Sequence, residues 1–137
     1  MGKRVLFTDL ELYLTGRIRA ELAALGTPLA VNVFVSNRFP DPAREKTVVV
    51  RDDSGSTTSI VTKDPSVGIT VLGKTDQIAT DLANLVHMIM SDCAGPQPDN
   101  PVANVRGANG PFKVLDEAGQ PRRYMTFDLS VVGNAYP

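Results

Sequence analysis

The sequence predicts an α/β protein of the α+β type, a single two-layer domain in which two main helices pack on a mostly antiparallel, mixed sheet. Three observations predict it. Two segments carry apolar residues at three- and four-residue spacing, and several others alternate apolar with polar residues. Their order runs helix, two strands, a long polar stretch, strand, helix and a three-stranded meander, which suits helices laid over such a sheet. A chain of 137 residues fits one domain, here 1–137, because it buries roughly two-thirds of its unfolded surface. Hydrophobic residues make up 42% and charged residues 21%, a globular composition rather than a disordered or fibrous one.

The first helix is expected to begin near Thr8, where Thr8 and Glu11 have the spacing of a capping box. Leu10, Leu14, Ile18, Leu22 and Leu25 then recur on one helical face, and Gly26 and Pro28 end it. Val31, Val33 and Val35 alternate with Asn32, Phe34 and Ser36 as a strand does. Pro40 and Pro42 make Arg38–Pro42 a loop, and the β-branched run Thr47–Arg51 is a second strand.

From Asp52 to about residue 66 the chain is poor in apolar surface. Ser54-Gly55-Ser56-Thr57-Thr58-Ser59 reads as a long polar loop or a mobile hairpin. Val67, Ile69 and Val71 form the next alternating face. Thr75 or Asp76 caps a second helix with a stripe of Ile78, Leu82, Leu85, Val86 and Ile89, which fails by Gly95. Beyond the proline-rich connection, Val102–Arg106 is expected as a strand. Asn109-Gly110 marks a tight turn into Phe112–Leu115, and Asp116–Gly119 marks a second turn. In the last strand Met125, Phe127, Leu129 and Val131 face one way, and Tyr124, Thr126, Asp128 and Ser130 the other.

Few residues offer chemistry. His87 is the only histidine, which excludes a multi-histidine metal site, and its place beside an apolar helical stripe makes it a boundary side chain. Ser91 and Asp92 lie within one helical turn of it and cannot complete a triad. Asp52-Asp53 and Asp116-Glu117 read as turn formers rather than as an acid–base pair. Gly107-Ala108-Asn109-Gly110 has neither the spacing nor the helical context of a phosphate-binding loop. Cys93 follows a helix carboxyl end, where the dipole disfavours a thiolate, and one cysteine forms no internal disulfide. No catalytic, cofactor-binding or metal-binding residues are expected, and the chain reads as a non-enzyme.

A net charge of −1 argues against tight binding to a phosphate backbone. The amino-terminal apolar run breaks at Thr8 and Asp9, too soon for a signal-peptide core, and no stretch is long enough to span a bilayer. The cations Arg38, Arg44, Lys46, Arg51, Arg106, Arg122 and Arg123 gather near predicted strand ends and loops, which is also where ordinary solvated surface lies.

Three segments in order resemble the tail terminator proteins of long, non-contractile-tailed phages. They are the valine-rich strand and polar turn Thr47–Gly55; the strand, glycine and capped helix Val67–Leu85, with Ala79, Leu82 and Ala83; and Gly110-Pro111 followed by Asp116–Val132, with Pro121-Arg122-Arg123-Tyr124. The likeness covers nearly the whole chain, though no single motif in it is chemically specific. The turn after Arg51 departs from the family's double glycine, reading Asp52-Asp53-Ser54-Gly55.

The resemblance implies a structural virion protein, made in the host cytoplasm and placed at the tail–neck junction. It implies a homo-hexameric ring that caps the tail tube, ends tube polymerisation and presents a joining surface to the neck or head-closure protein, while DNA passes through without specific binding. The family has no catalytic residues to transfer. A head-closure or neck adaptor is the alternative, with a small enzyme or a monomeric binding module further off. The candidate assembly interface is Arg38, Arg51, Asp52, Asp53, Ser56, Thr57, Thr58, Arg122, Arg123 and Tyr124. A ring needs one patch to meet a different patch on the next copy, and the Asp52–Asp64 stretch is expected to reach a neighbour and to order on contact.

Overall fold

The computed structural model describes residues 4–57, 59, 61–96, 99–114 and 119–135, without the side chains of Ser56 and Thr57. Helix α1 spans Leu10–Leu25 and buries Leu10, Leu14, Ile18 and Leu22, while Leu25 stays exposed. Its cap is Asp9 rather than Thr8, because the Asp9 carboxylate accepts the Leu12 amide at 3.1 Å. Glu11 does not close a capping box. One of its oxygens accepts the Asp52 amide at 2.7 Å and the other the Asn37 side-chain amide at 3.0 Å, so a tertiary contact takes the local partner. Gly26 ends the helix at φ 64, as expected.

The strand expected over Val31–Ser36 shrinks to β2, Phe34–Ser36, with β1 at Val5–Leu6 preceding α1. Pro28 opens a 3-10 turn over Pro28–Ala30, and Asn32 adopts φ 57, so the chain turns before it extends. Strand β3 runs Lys46–Thr57 and β4 runs Thr62–Gly73.

This pair corrects the polar loop expected at about 52–66, whose described residues are mostly the arms of a hairpin. Gly55, Ser56 and Thr57 pair with Pro65, Asp64 and Lys63 beyond a bulge at Asp52/Gly55. The far end is held from the other side too, since Thr62 and Lys63 pair with Val132 and Val131, and the Gly133 amide donates to the Val61 carbonyl at 2.8 Å. Ladder hydrogen bonds on both sides of β4 outweigh weak strand preferences in a Ser- and Thr-rich stretch. Thr58 lies outside the described residues.

Helix α2, Asp76–Ser91, is capped by Thr75, whose hydroxyl accepts the Ile78 amide at 3.2 Å. It buries Ala79, Leu82, Ala83, Val86, Ile89 and Met90, while Ile78 and Leu85 are half-buried. Strand β5 spans Val102–Val114, β6 Arg122–Val132, and β7, Asn134–Ala135, pairs with β1. The hairpin turn expected at Asn109-Gly110 is absent. One long strand replaces two, and Gly110 serves a bulge between Asn109 and Phe112 at φ 95, where a Cβ would sit 2.7 Å from the Tyr124 carbonyl oxygen. The meander is therefore the two-stranded pair β5–β6. Of the turn expected at Asp116–Gly119, all but Gly119 lies outside the described residues.

The main sheet has the order β2-β3-β4-β6-β5, with only β2–β3 parallel. It is the mixed, mostly antiparallel two-layer α/β fold the sequence predicts. Both helices lie on one face, where Val48, Val50, Val67, Ile69, Val71, Met125, Phe127, Leu129 and Val131 join the helical stripes in one core. The alternation expected in β6 holds along the strand.

Candidate functional site: the uncovered face of the sheet

Residues directly opposite in neighbouring strands share a face. The face turned away from the helices can therefore be read across the register: Arg51, Gly68 and Thr126 form one row, Val49, Thr70, Tyr124 and Phe112 the next, and Leu72 and Arg122 a third. Among the described residues no helix covers this face. Val49 and Leu72 are buried at its Lys46/Gly73 end, and beyond them it is polar and aromatic, with Phe112 54% exposed on β5 directly opposite Tyr124.

Tyr124 lies across Gly68. A Cβ on that glycine would collide with the Tyr124 hydroxyl and stand 3.1 Å from Cζ, so the missing side chain is what lets the ring lie down on the sheet. At the Lys46/Gly73 end, residues 37–45 form a strap over the face. The Arg122 guanidinium sits 5.2 Å from the Phe39 ring centroid and that of Arg44 5.1 Å from Phe34, while Gln120 Nε2 donates to the Arg44 carbonyl at 2.6 Å.

The ten candidate interface residues divide accordingly. Arg51, Arg122 and Tyr124 share the uncovered face, and Arg38 lies on the strap beside it. Asp52 turns to the helix side, opposite Val67, and its carboxylate accepts the Ser54 amide at 2.7 Å. Asp53 is exposed on the bulge. Ser56 and Thr57 belong to β3 by their backbone.

Arg123 is the correction. It points into the helix layer, only 8% exposed, donating to Asp76 Oδ1 at 3.0 Å, Thr80 Oγ1 at 2.8 Å and the Arg122 carbonyl at 3.0 Å. Strand alternation separates the adjacent arginines, and a contact role for Arg123 gives way to an intrachain one. The bond from Arg123, with Lys113 at 3.5 Å, holds the Asp76 carboxyl below the usual carboxylate range. Sequence reading missed Phe39, Gly68 and Phe112 as contact residues and placed Arg44 among the loop cations without assigning it to the interface. The signal for Phe112 was its place in the strand that the turn expected at 116–119 joins to Tyr124, which sets the two aromatic residues opposite each other.

The groups with chemical potential are placed for packing. His87 rests against Phe127 with ring centroids 5.3 Å apart, and its Nδ1 is 3.4 Å from Ser91 Oγ. Cys93 is fully buried, and burial pushes its thiol up against a smaller opposing pull from Arg17. Among the described residues no group of three or more His, Cys, Asp or Glu could hold a metal ion, and no helix is long and apolar enough to cross a membrane.

Fold and face together define a class: a two-layer α/β domain whose accessible features are a bare sheet face and an arginine-bearing strap. No family model matches this chain, and comparison with curated proteins returns no match.

Proposed function

We propose that the chain is a non-enzymatic structural subunit that assembles into a ring, and that this ring is a phage tail terminator. In this reading six copies cap the tail tube, stop further tube subunits from adding and offer the opposite surface to the neck or head-closure protein at the tail–neck junction of the virion. DNA passes through the lumen without specific binding, in keeping with a chain that has no cationic surplus.

The observation that carries the reading is the uncovered sheet face, where Arg51, Tyr124, Arg122 and the exposed Phe112 are presented together by three strands, β3, β6 and β5. A face carrying aromatic side chains and arginine has the composition of contact surfaces. Support for a non-enzymatic role comes from His87 packed on Phe127 and from the buried Cys93.

The test is the mass of the purified chain across concentration, with and without preformed tail tubes, alongside negative-stain images. Rings seated at one end of tubes are expected. A chain that ignores tubes and binds portal or neck complexes is a neck adaptor instead, and one that binds neither and stays monomeric overturns the assembly reading altogether.

A further inference from the structure

Two charged surface features stand out, one a hollow lined by arginines and the other an exposed carboxylate on a bulge, and their charges are opposite. The first is concave: Phe34, Arg38, Phe39, Pro40, Asp41, Pro42 and Arg44 enclose a hollow of about 380 Å³ beneath the strap. Two guanidinium groups and one carboxylate line it, and Arg122 stacks on Phe39 at its border. The Arg44 guanidinium lies over Phe34, so ring stacking restrains its orientation without using its in-plane N–H donors. Arg38 is exposed and has no ion-pair partner among the described residues.

The second feature is convex. At the β3 bulge, Ser54 takes φ 60 and donates its amide to Asp52, whose own amide is held by Glu11. Asp53 stands between these two anchored neighbours, exposed and without a partner among the described residues. Its backbone is thus set before any encounter, which lowers the entropy lost on contact. The other exposed, unpaired carboxylates suit the hollow less well: Asp92 and Asp99 line a concavity of their own, and Asp41 already sits in the strap.

We propose that Asp53 of one copy enters the Arg38/Arg44 hollow of the next, which deepens the ring reading and rests on it. The hollow lies at the start of β3 and Asp53 is seven residues further along, roughly 23 Å away at strand spacing. Patch and counterpatch are therefore different regions of one molecule. Their union is heterologous and adds copies head to tail until the rotation closes. Arginine and carboxylate recognise each other by forked hydrogen bonds, so the contact sets register as well as attraction.

The experiment is a charge exchange read by sedimentation across concentration. Asp53→Arg and Arg38→Glu are each expected to raise the concentration for half-assembly by on the order of tenfold or more. The combined variant is expected to recover most of that loss. Both side chains are exposed, and an unchanged thermal unfolding midpoint in each variant confirms that the fold is intact. If the wild-type chain assembles and either single variant assembles equally well, or the combined variant recovers nothing, the Asp53 contact is wrong while the ring stands. If the wild-type chain stays monomeric at all concentrations and on tubes, the ring reading fails and this contact with it.

Discussion

Two glycines on β4 should respond very differently to the same substitution, because different things cover them. At Gly73 an added Cβ would lie 2.5 Å from the Ala79 amide nitrogen and 2.9 Å from its Cα, backbone atoms that can give way only if the whole helix moves. Gly73→Ala therefore forces α2 away from the sheet at an overpacking cost of about 1–3 kcal/mol. At Gly68 the obstruction is the free end of Tyr124, which can swing outward. Neither glycine needs a left-handed backbone. Gly68→Ala also restricts the unfolded chain, an offset of about 0.4–1 kcal/mol, so its net effect on stability should be near zero. Urea unfolding followed by far-ultraviolet circular dichroism measures both, and near-ultraviolet tyrosine signals report the displaced ring. Equal destabilisation by the two variants, or an unaltered tyrosine signal in Gly68→Ala, would refute the flat placement of Tyr124. In an assembling chain Gly68→Ala should also weaken association, since it roughens the uncovered face without unfolding it.

Phe127→Ala should cost about 3–5 kcal/mol, because the ring is fully buried in the core and packs against His87 of α2; urea unfolding checks it. Arg123→Met should flatten the acid limb of the stability profile. The depressed Asp76 carboxyl contributes stability that is present above the ordinary carboxylate value and lost as pH falls through its lowered one, so removing Arg123 should shrink that loss in melts taken below about pH 4. An identical pH slope in wild type and variant would show that the ion pair contributes nothing. Cys93 should react with a thiol reagent at pH 8 far more slowly in the folded chain than in urea, because burial both shields it and keeps it protonated.

Much of the fold was legible in sequence wherever one periodicity governed a whole element. The stripe of α1 up to Leu22, the Thr75 cap of α2 with Leu82, Val86 and Ile89 of its stripe, and the alternation of β6 appear where expected, since each follows from burying one face of a regular element. Legibility failed where a residue's partner lay far along the chain. Glu11 looked like half of a capping box because nothing nearby reveals Asp52, and Asn109-Gly110 looked like a turn because positive φ serves a bulge as readily as a hairpin. Ser54–Thr57 looked like a loop because ladder bonds to β4 are invisible to side-chain composition. The candidate interface suffered in the same way. Arg122 and Arg123 are indistinguishable as neighbours in sequence, and only strand alternation sends one to the open face and the other to Asp76.

The treatment of the sheet edges bears on where assembly can occur. An unguarded edge would pair with any available strand, yet both long edges here are broken. The Asp52 and Ser54 amides on β3 are taken by Glu11 and by the Asp52 carboxylate before a neighbour can reach them. Strand β5 carries three register shifts against β6 and includes Pro111, which has no amide to donate. Ladder extension from copy to copy is thereby discouraged on both sides, which in the proposed ring would favour a closed structure over an open fibre. With the edges guarded and one face filled by helices, the bare face with its strap and the rigid bulge at Asp53 are left as surfaces on which side-chain complementarity, and not backbone pairing, can select a partner.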